Sequence, residues 1–122
     1  MYEYRAKLVR VIDGDTVDLD VDLGFNQHIV PMRFRLTGIN TPEKNAKTAE
    51  ERNAALAAAA VLKGMLADRE LVVRTHRDSN DKYGRYLCVV FYQGVSVNDE
   101  LVKLGHAAPY DGVGAPPAWP WK

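Results

Sequence analysis

Between Thr16 and Leu23 the chain alternates without a break. Val17, Leu19, Val21 and Leu23 fall on one face, and Asp18, Asp20 and Asp22 fall on the other. Successive side chains of an extended strand point to opposite faces, so a period of two with β-branched residues in one row reads as a half-buried strand. The three aspartates read as its solvated face. Ala6 to Val11 is a further short apolar-rich run, and Ile29 to Thr37 alternates again, so the first 40 residues are β.

The pattern then changes period. Thr48-Ala49-Glu50-Glu51 has the form of a capping box, in which the threonine oxygen takes the third amide and Glu51 reaches back to the cap. An alanine-rich helix follows to about Ala67, with Leu56, Ala59, Ala60, Leu62, Lys63 and Leu66 near one stripe. Its alanine run predicts close packing on something flat, such as the end of a barrel. Leu71 to His76 and Arg85 to Tyr92 are the next strands, the second turning at Gln93-Gly94. Ser96 caps a last short helix that Asp99 supports and Gly105 stops. Five short strands with a helix between the third and fourth predict an α+β, mainly β chain. The expected fold is a five-stranded Greek-key barrel of the OB type, with one long helix between strands 3 and 4 and a short C-terminal helix.

At 122 residues and 47% hydrophobic, the chain suffices for one domain with its own core. We expect that domain over 1–108. From Pro109 the composition turns to Gly, Pro, Ala and Trp, a tail over 109–122 expected to pack on the barrel through Trp119 and Trp121. A contact for a partner or for stacked bases is the alternative use of that tail. Sixteen basic and sixteen acidic residues give zero formal charge, so any nucleic-acid partner is met by local placement of charge. A single cysteine, Cys88, excludes an intramolecular disulfide framework and a zinc finger, and its apolar neighbours predict burial. No apolar stretch approaches the about 20 residues of a membrane helix. Met1-Tyr2-Glu3-Tyr4-Arg5 lacks the basic and apolar regions of a signal peptide, so an intracellular monomer away from membranes is expected, a secreted mature form being the alternative.

Two loops carry the chemistry. Ile12-Asp13-Gly14-Asp15-Thr16 joins the first two strands, and its Asp-Gly is ordinary turn chemistry because glycine tolerates positive φ. Ile39-Asn40-Thr41-Pro42-Glu43 sets an amide, a hydroxyl and a carboxylate around a proline, an oxygen-rich corner of the kind hard cations such as calcium bind. Arg35 shares a strand face with Arg33, and Arg85 opens a strand after Asp81-Lys82-Tyr83-Gly84. The planar fork of arginine grips phosphate through two parallel charge-assisted bonds. His28, His76 and His106 show no metal spacing.

Together these stretches resemble the staphylococcal (micrococcal) nuclease family, the thermonuclease-like domains. The resemblance runs through Val11-Ile12-Asp13-Gly14-Asp15-Thr16-Val17, Phe34-Arg35-Leu36, Thr41-Pro42-Glu43, Asp81-Lys82-Tyr83-Gly84-Arg85 and Val97-Asn98-Asp99-Glu100-Leu101-Val102 to Gly105, covering about residues 6–108. It implies an OB-type barrel and calcium-dependent hydrolysis of DNA and RNA with little sequence preference, leaving 3′-phosphates. By position it implies catalytic roles for Arg35, Glu43 and Arg85, and calcium ligation by Asp15, Asn40 and the Thr41 carbonyl. Lys82 and Tyr83 then match the nucleotide pocket, and Tyr110 stands as a second pocket aromatic although the spacing slips there.

Two departures stand out. Asn40 occupies a position where the family usually has a second aspartate, so one negative charge is lost and calcium should bind more weakly. Asp13 and Asp18 lie nearby in sequence as candidates to compensate. The family's longer C-terminal helix is also replaced by the Pro/Trp-rich tail. Three readings follow: an active nuclease, a catalytically weak or inactive nuclease-like module that binds nucleic acid or protein, and a plain ligand-binding OB barrel.

Overall fold

Every barrel strand expected from the sequence forms, and the computed structural model describes residues 2–80 and 86–121, with the backbone alone described at 76–80. Strands β1 (Tyr2–Asp13), β2 (Thr16–Gly24) and β3 (Gln27–Leu36) make an antiparallel meander. A two-residue strand β4 (Ile39–Asn40) leads to helix α1 (Ala49–Leu66), and then come β5 (Leu71–Asn80) and β6 (Tyr86–Tyr92). Strand β7 (Val95–Ser96), helix α2 (Val97–Lys103) and strand β8 (Ala108–Pro109) complete the order. β5 pairs back onto β1, β6 pairs with β5, and a parallel pairing of β3 with β6 at Phe34–Tyr86, Arg35–Leu87 and Leu36–Cys88 closes five strands into a barrel. Closure removes most of the exposed edge that an open sheet would leave. This is the predicted OB-type architecture, with α1 between the third and fourth barrel strands.

The inward row of β2 behaves as its pattern requires at Val17, Leu19 and Val21, each at most 1% exposed among Phe34, Leu36, Leu71, Val73 and Val90. Leu23 departs from it and is 42% exposed. Only residues 34–36 of β3 meet β6, so the β2–β3 hairpin overhangs the barrel. Its turn residues Phe25 and Asn26 both take positive φ, and Phe25 is almost fully exposed. The reading of the aspartate row as solvated fails at Asp18, which is 1% exposed. Strand register sets Arg10 and Arg33 directly opposite Asp18 on either side. Their guanidiniums cover the carboxylate, which offsets part of the cost of burying it.

Helix α1 starts as predicted, with Thr48 Oγ1 accepting from the Glu51 amide at 3.2 Å. Its buried stripe is Ala55, Ala58, Leu62 and Leu66, whereas Leu56 is 66% exposed and Ala60 also faces solvent. The stripe is offset from the expected one because the helix must present small residues where it meets the β1–β2 turn. A Cβ built on Gly14 would lie 3.0 Å from the Ala58 Cβ.

The second helix is fastened by Asn98, a buried side chain whose Oδ1 accepts from Val90 N and whose Nδ2 donates to Thr37 O and Cys88 O. Cys88 is fully buried, and burial pushes its thiol far above the ordinary range. Beyond α2, β8 pairs with β4 at Ile39–Pro109 and Asn40–Ala108. Trp119 and Trp121 are half-buried. No helix among the described residues is long and apolar enough to cross a membrane.

Candidate active site

The β1–β2 turn and the segment after β3 meet at one end of the barrel, where α1 packs. Asp13 Oδ1 accepts the Asp15 amide at 3.2 Å, an Asx turn that sets the direction in which Asp15 leaves the corner. Gly14 sits between them for want of room rather than for its backbone angle. Its φ lies outside the left-handed region, and a Cβ there would come within 3.0 Å of Thr41 Cβ and Oγ1 as well as Ala58. That corrects the expectation of a positive-φ glycine.

Arg35 lies on β3 opposite Thr16, and its side chain is only 16% exposed. Its Nη1 donates to Leu36 O at 3.0 Å, and Nη2 donates to Ile39 O at 3.0 Å and to Asp15 Oδ2 at 3.4 Å. Two backbone carbonyls thus fix one edge of the guanidinium. A planar group with five donors keeps its Nε–H and one Nη1–H beyond these contacts.

Asp15 is buried. Desolvation, reinforced by the hydrogen bond and charge of Asp13, raises its carboxyl from the ordinary 3.8 to about 7, against the charge of Arg35 and a hydrogen bond from Thr41. Asn40 and Thr41 are buried beside it in the chain that leaves Ile39. β4–β8 pairing holds Asn40 in place.

Glu43 is exposed two residues further on. Its amide donates to Glu51 Oε2 at 3.0 Å. The capping box is therefore half made: Glu51 ties the Glu43 loop to α1 instead of reaching back to Thr48. With Asn45, Ala46, Lys47, Thr48 and Glu51, Glu43 lines an open cleft of about 340 Å³.

Among the sequence-predicted residues, Asp15, Arg35, Asn40 and Thr41 share this corner, with Glu43 on the loop beside it. Tyr110 follows β8, its amide donating to Gly38 O at 2.9 Å and its hydroxyl to Gly114 O at 2.6 Å. It therefore flanks the strand that carries Asn40. Lys82, Tyr83 and Arg85 lie outside the described residues. Asp18 does not serve the corner as an additional oxygen ligand: Arg33 Nε and Nη2 hold its two oxygens at 2.8 and 3.0 Å, and Arg10 Nε lies 2.8 Å from Oδ2. These bonds hold its carboxyl below the usual range.

Sequence reasoning missed the carbonyl anchors of Arg35, the Glu51 tie and the steric role of Gly14. Only the Arg10–Asp18–Arg33 row left a readable signal, since register alone aligns it.

At this corner the Asp15 carboxylate lies beside the Thr41 side chain, and Asn40 and Thr41 are both buried, an oxygen-bearing set of the kind that suits a hard cation. The buried, incompletely compensated Asp15 carboxylate is where a cation would be stabilised. Among the described residues no group of three or more His, Cys, Asp or Glu side chains is placed to hold a metal.

Comparison with known proteins assigns the chain to a family. The chain is 35% identical over 117 residues to Protein ParB of Escherichia coli, covering 88% of this chain and 58% of that protein. It is 30% identical over 105 residues to the Thermonuclease of Staphylococcus hyicus, covering 86% and 59%. It is 35% identical over 98 residues to that of Staphylococcus intermedius, covering 80% and 55%. The chain thus spans somewhat over half the length of these relatives. A family profile, Staphylococcal nuclease homologue, matches residues 33–116, the stretch that runs from the strand bearing Arg35 past Tyr110. The chain belongs to the staphylococcal nuclease homologue family.

Proposed function

We propose that the protein is a calcium-dependent nuclease that hydrolyses phosphodiester bonds of DNA, RNA or both, with little sequence preference, leaving 3′-phosphates. The observation that carries this reading is Arg35, a nearly buried guanidinium braced on two carbonyls against the under-compensated carboxylate of Asp15. A domain that only binds has no need of that arrangement.

Asp15, Asn40 and the Thr41 carbonyl would hold calcium, which when bound supplies Lewis-acid polarisation of a phosphate oxygen. Arg35 offers its remaining N–H donors to the phosphoryl oxygens, where charge builds in the transition state. Because its carbonyl contacts are already made, little reorganisation is needed when substrate arrives. Arg85 supplies the second guanidinium. Glu43, exposed on the loop beside that corner, orients or deprotonates the attacking water. Lys82 and Tyr83 contact the terminal phosphate and sugar, and Tyr110 supplies a second pocket aromatic. Zero net charge gives weak substrate binding and modest processivity.

The test is digestion of single-stranded DNA and of RNA while calcium is titrated into the tens of millimolar and then chelated, with Arg35→Ala alongside to exclude a contaminating nuclease. Calcium-dependent cleavage that the variant loses is the expected result. A well-folded protein that cleaves neither substrate at any calcium concentration overturns the proposal. It would favour the second reading, a nuclease-like binding module, for which the charge missing at Asn40 is the supporting observation.

A further inference from the structure

Outside the corner just described, one constellation is built at some cost and left without a task. Arg10, Asp18 and Arg33 stand in direct register across β1, β2 and β3. The Asp18 side chain is 2% exposed, while those of Arg10 and Arg33 are 56% and 48% exposed. One guanidinium suffices to neutralise one carboxylate, yet two are held on it. Of the five N–H donors each guanidinium carries, Arg33 uses its Nε–H and one Nη2–H on Asp18, and Arg10 uses its Nε–H. A strand repeat of two residues, about 7 Å, separates this row from the Thr16–Arg35 row. Arg33 and Arg35 lie on the same face of β3.

From this placement we infer that Arg10 and Arg33 are a docking platform for a phosphate of the substrate strand, one position along from the phosphate gripped by Arg35. The inference rests on the nuclease reading above and adds to it the residues that hold the flanking nucleotide. Planar forks fixed in orientation by a buried carboxylate match the bidentate geometry of a phosphodiester and lose little rotamer freedom on binding. The row spacing is close to the step between phosphates of an extended single strand. In a chain with no net positive field, such fixed local cations are what contact to the backbone requires. The acids bordering the platform are already engaged. Asp13, whose charge reaches Arg33, accepts the Asp15 amide, and Asp20, next along β2, pairs with His28 at 2.6 Å.

Single variants Arg10→Gln and Arg33→Gln test the assignment, because each leaves one guanidinium on Asp18 and so keeps the carboxylate compensated. Binding of a labelled thymidine oligomer is followed by fluorescence anisotropy across a salt series in chelator, beside the same measurement with an adenosine oligomer. Each substitution should weaken binding about five- to tenfold, equally for both sequences. It should also reduce the slope of log K against log salt by about 0.7, one phosphate contact on a single strand. With calcium restored, KM rises while kcat stays within about twofold, as expected when binding uniform to ground and transition states is lost. Arg33→Lys keeps the salt slope and loses affinity if the fork is what matters. Affinity, slope and KM all unchanged in both glutamine variants would overturn the platform while the nuclease reading stood. So would a wild-type protein that binds no oligomer. A wild-type protein that binds but never cuts would refute the nuclease reading, and the change in slope would still decide the platform.

Discussion

Asp18→Asn removes one charge from a site where two guanidiniums converge and keeps the side-chain volume, so its cost is electrostatic. In the native protein the carboxylate takes three close contacts, Arg33 Nε at 2.8 Å, Arg33 Nη2 at 3.0 Å and Arg10 Nε at 2.8 Å. An amide in its place accepts through one oxygen and turns an NH2 group toward a guanidinium. Hydrogen bonds to charged groups contribute about 1.5–3 kcal/mol each where both partners are desolvated. Here both arginines are about half exposed and can be rehydrated, so the three contacts together are worth less than their sum. We expect a loss of about 2–3 kcal/mol at neutral pH, a fall in Tm of roughly 10 °C for a domain of this size.

The pH dependence fixes the cause. Hydrogen bonding and the charge of Arg33, with that of Arg10, lower the Asp18 pKa from its ordinary 3.8. A depressed native pKa contributes stability that is fully present above the unfolded value, about 3.9, and lost as pH falls through the native one. The gap between wild type and Asp18→Asn should therefore be constant from pH 8 to 5 and narrow below about pH 4. Urea unfolding at several pH values measures it. A variant as stable as wild type at pH 7, or a gap undiminished at pH 3, would refute the account.

Other substitutions probe the corner itself. Asp15→Asn should have the opposite sign at pH 8 without calcium: its carboxyl is raised to about 7, so ionising it costs native stability as pH rises from about 4 through 7, and chemical unfolding should find the variant at least as stable while its cleavage is lost. Asn40→Asp restores a ligand charge and should lower the calcium midpoint about tenfold, read by titration calorimetry and by cleavage at low calcium. Gly14→Ala brings a methyl to within 3.0 Å of Thr41 and Ala58 and should destabilise by about 1–3 kcal/mol in urea while weakening calcium binding. Glu51→Ala frees the Glu43 amide and should cost about 1 kcal/mol in thermal unfolding while lowering kcat several-fold.

The barrel was legible because its information is periodic. Val17, Leu19 and Val21, and the matching Phe34 and Leu36, state which face is buried before any coordinates are known. Caps are equally local, and Thr48 and Ser96 accept the amides of Glu51 and Asp99 as the spacing requires. Failure came where a long-range neighbour overrides a local rule. Leu56 belongs to an apolar run and is nonetheless exposed, because the β1–β2 turn selects the alanine face of α1. Glu51 has the right spacing for a capping box, yet the nearby Glu43 amide takes its carboxylate. Neither partner can be read from the helix alone. The strands β4 and β8 escaped for a related reason, since two residues carry no period.

The two buried aspartates of this sheet show how a site differs from its scaffold. Asp15 and Asp18 stand three residues apart, and both lose nearly all contact with water. Asp18 gains two guanidiniums, and its charged form is favoured. Asp15 faces one arginine at 3.4 Å and has Asp13 beside it, and its charged form is disfavoured. Composition treats them alike. What separates them is the cross-strand neighbour, arginine on both sides of one and a turn beside the other. A fold selected only for stability would not leave Asp15 so poorly compensated, because asparagine there would avoid the desolvated charge. Retaining it has a physical rationale if a cation completes the compensation, and Arg35 is braced within reach of the same carboxylate. Perturbed, under-paired carboxylates of this kind mark working sites more often than structural ones. The contrast between these two residues therefore supports placing the proposed chemistry at the β1–β2 turn, with the Arg10–Asp18–Arg33 row as the fixed surface beside it.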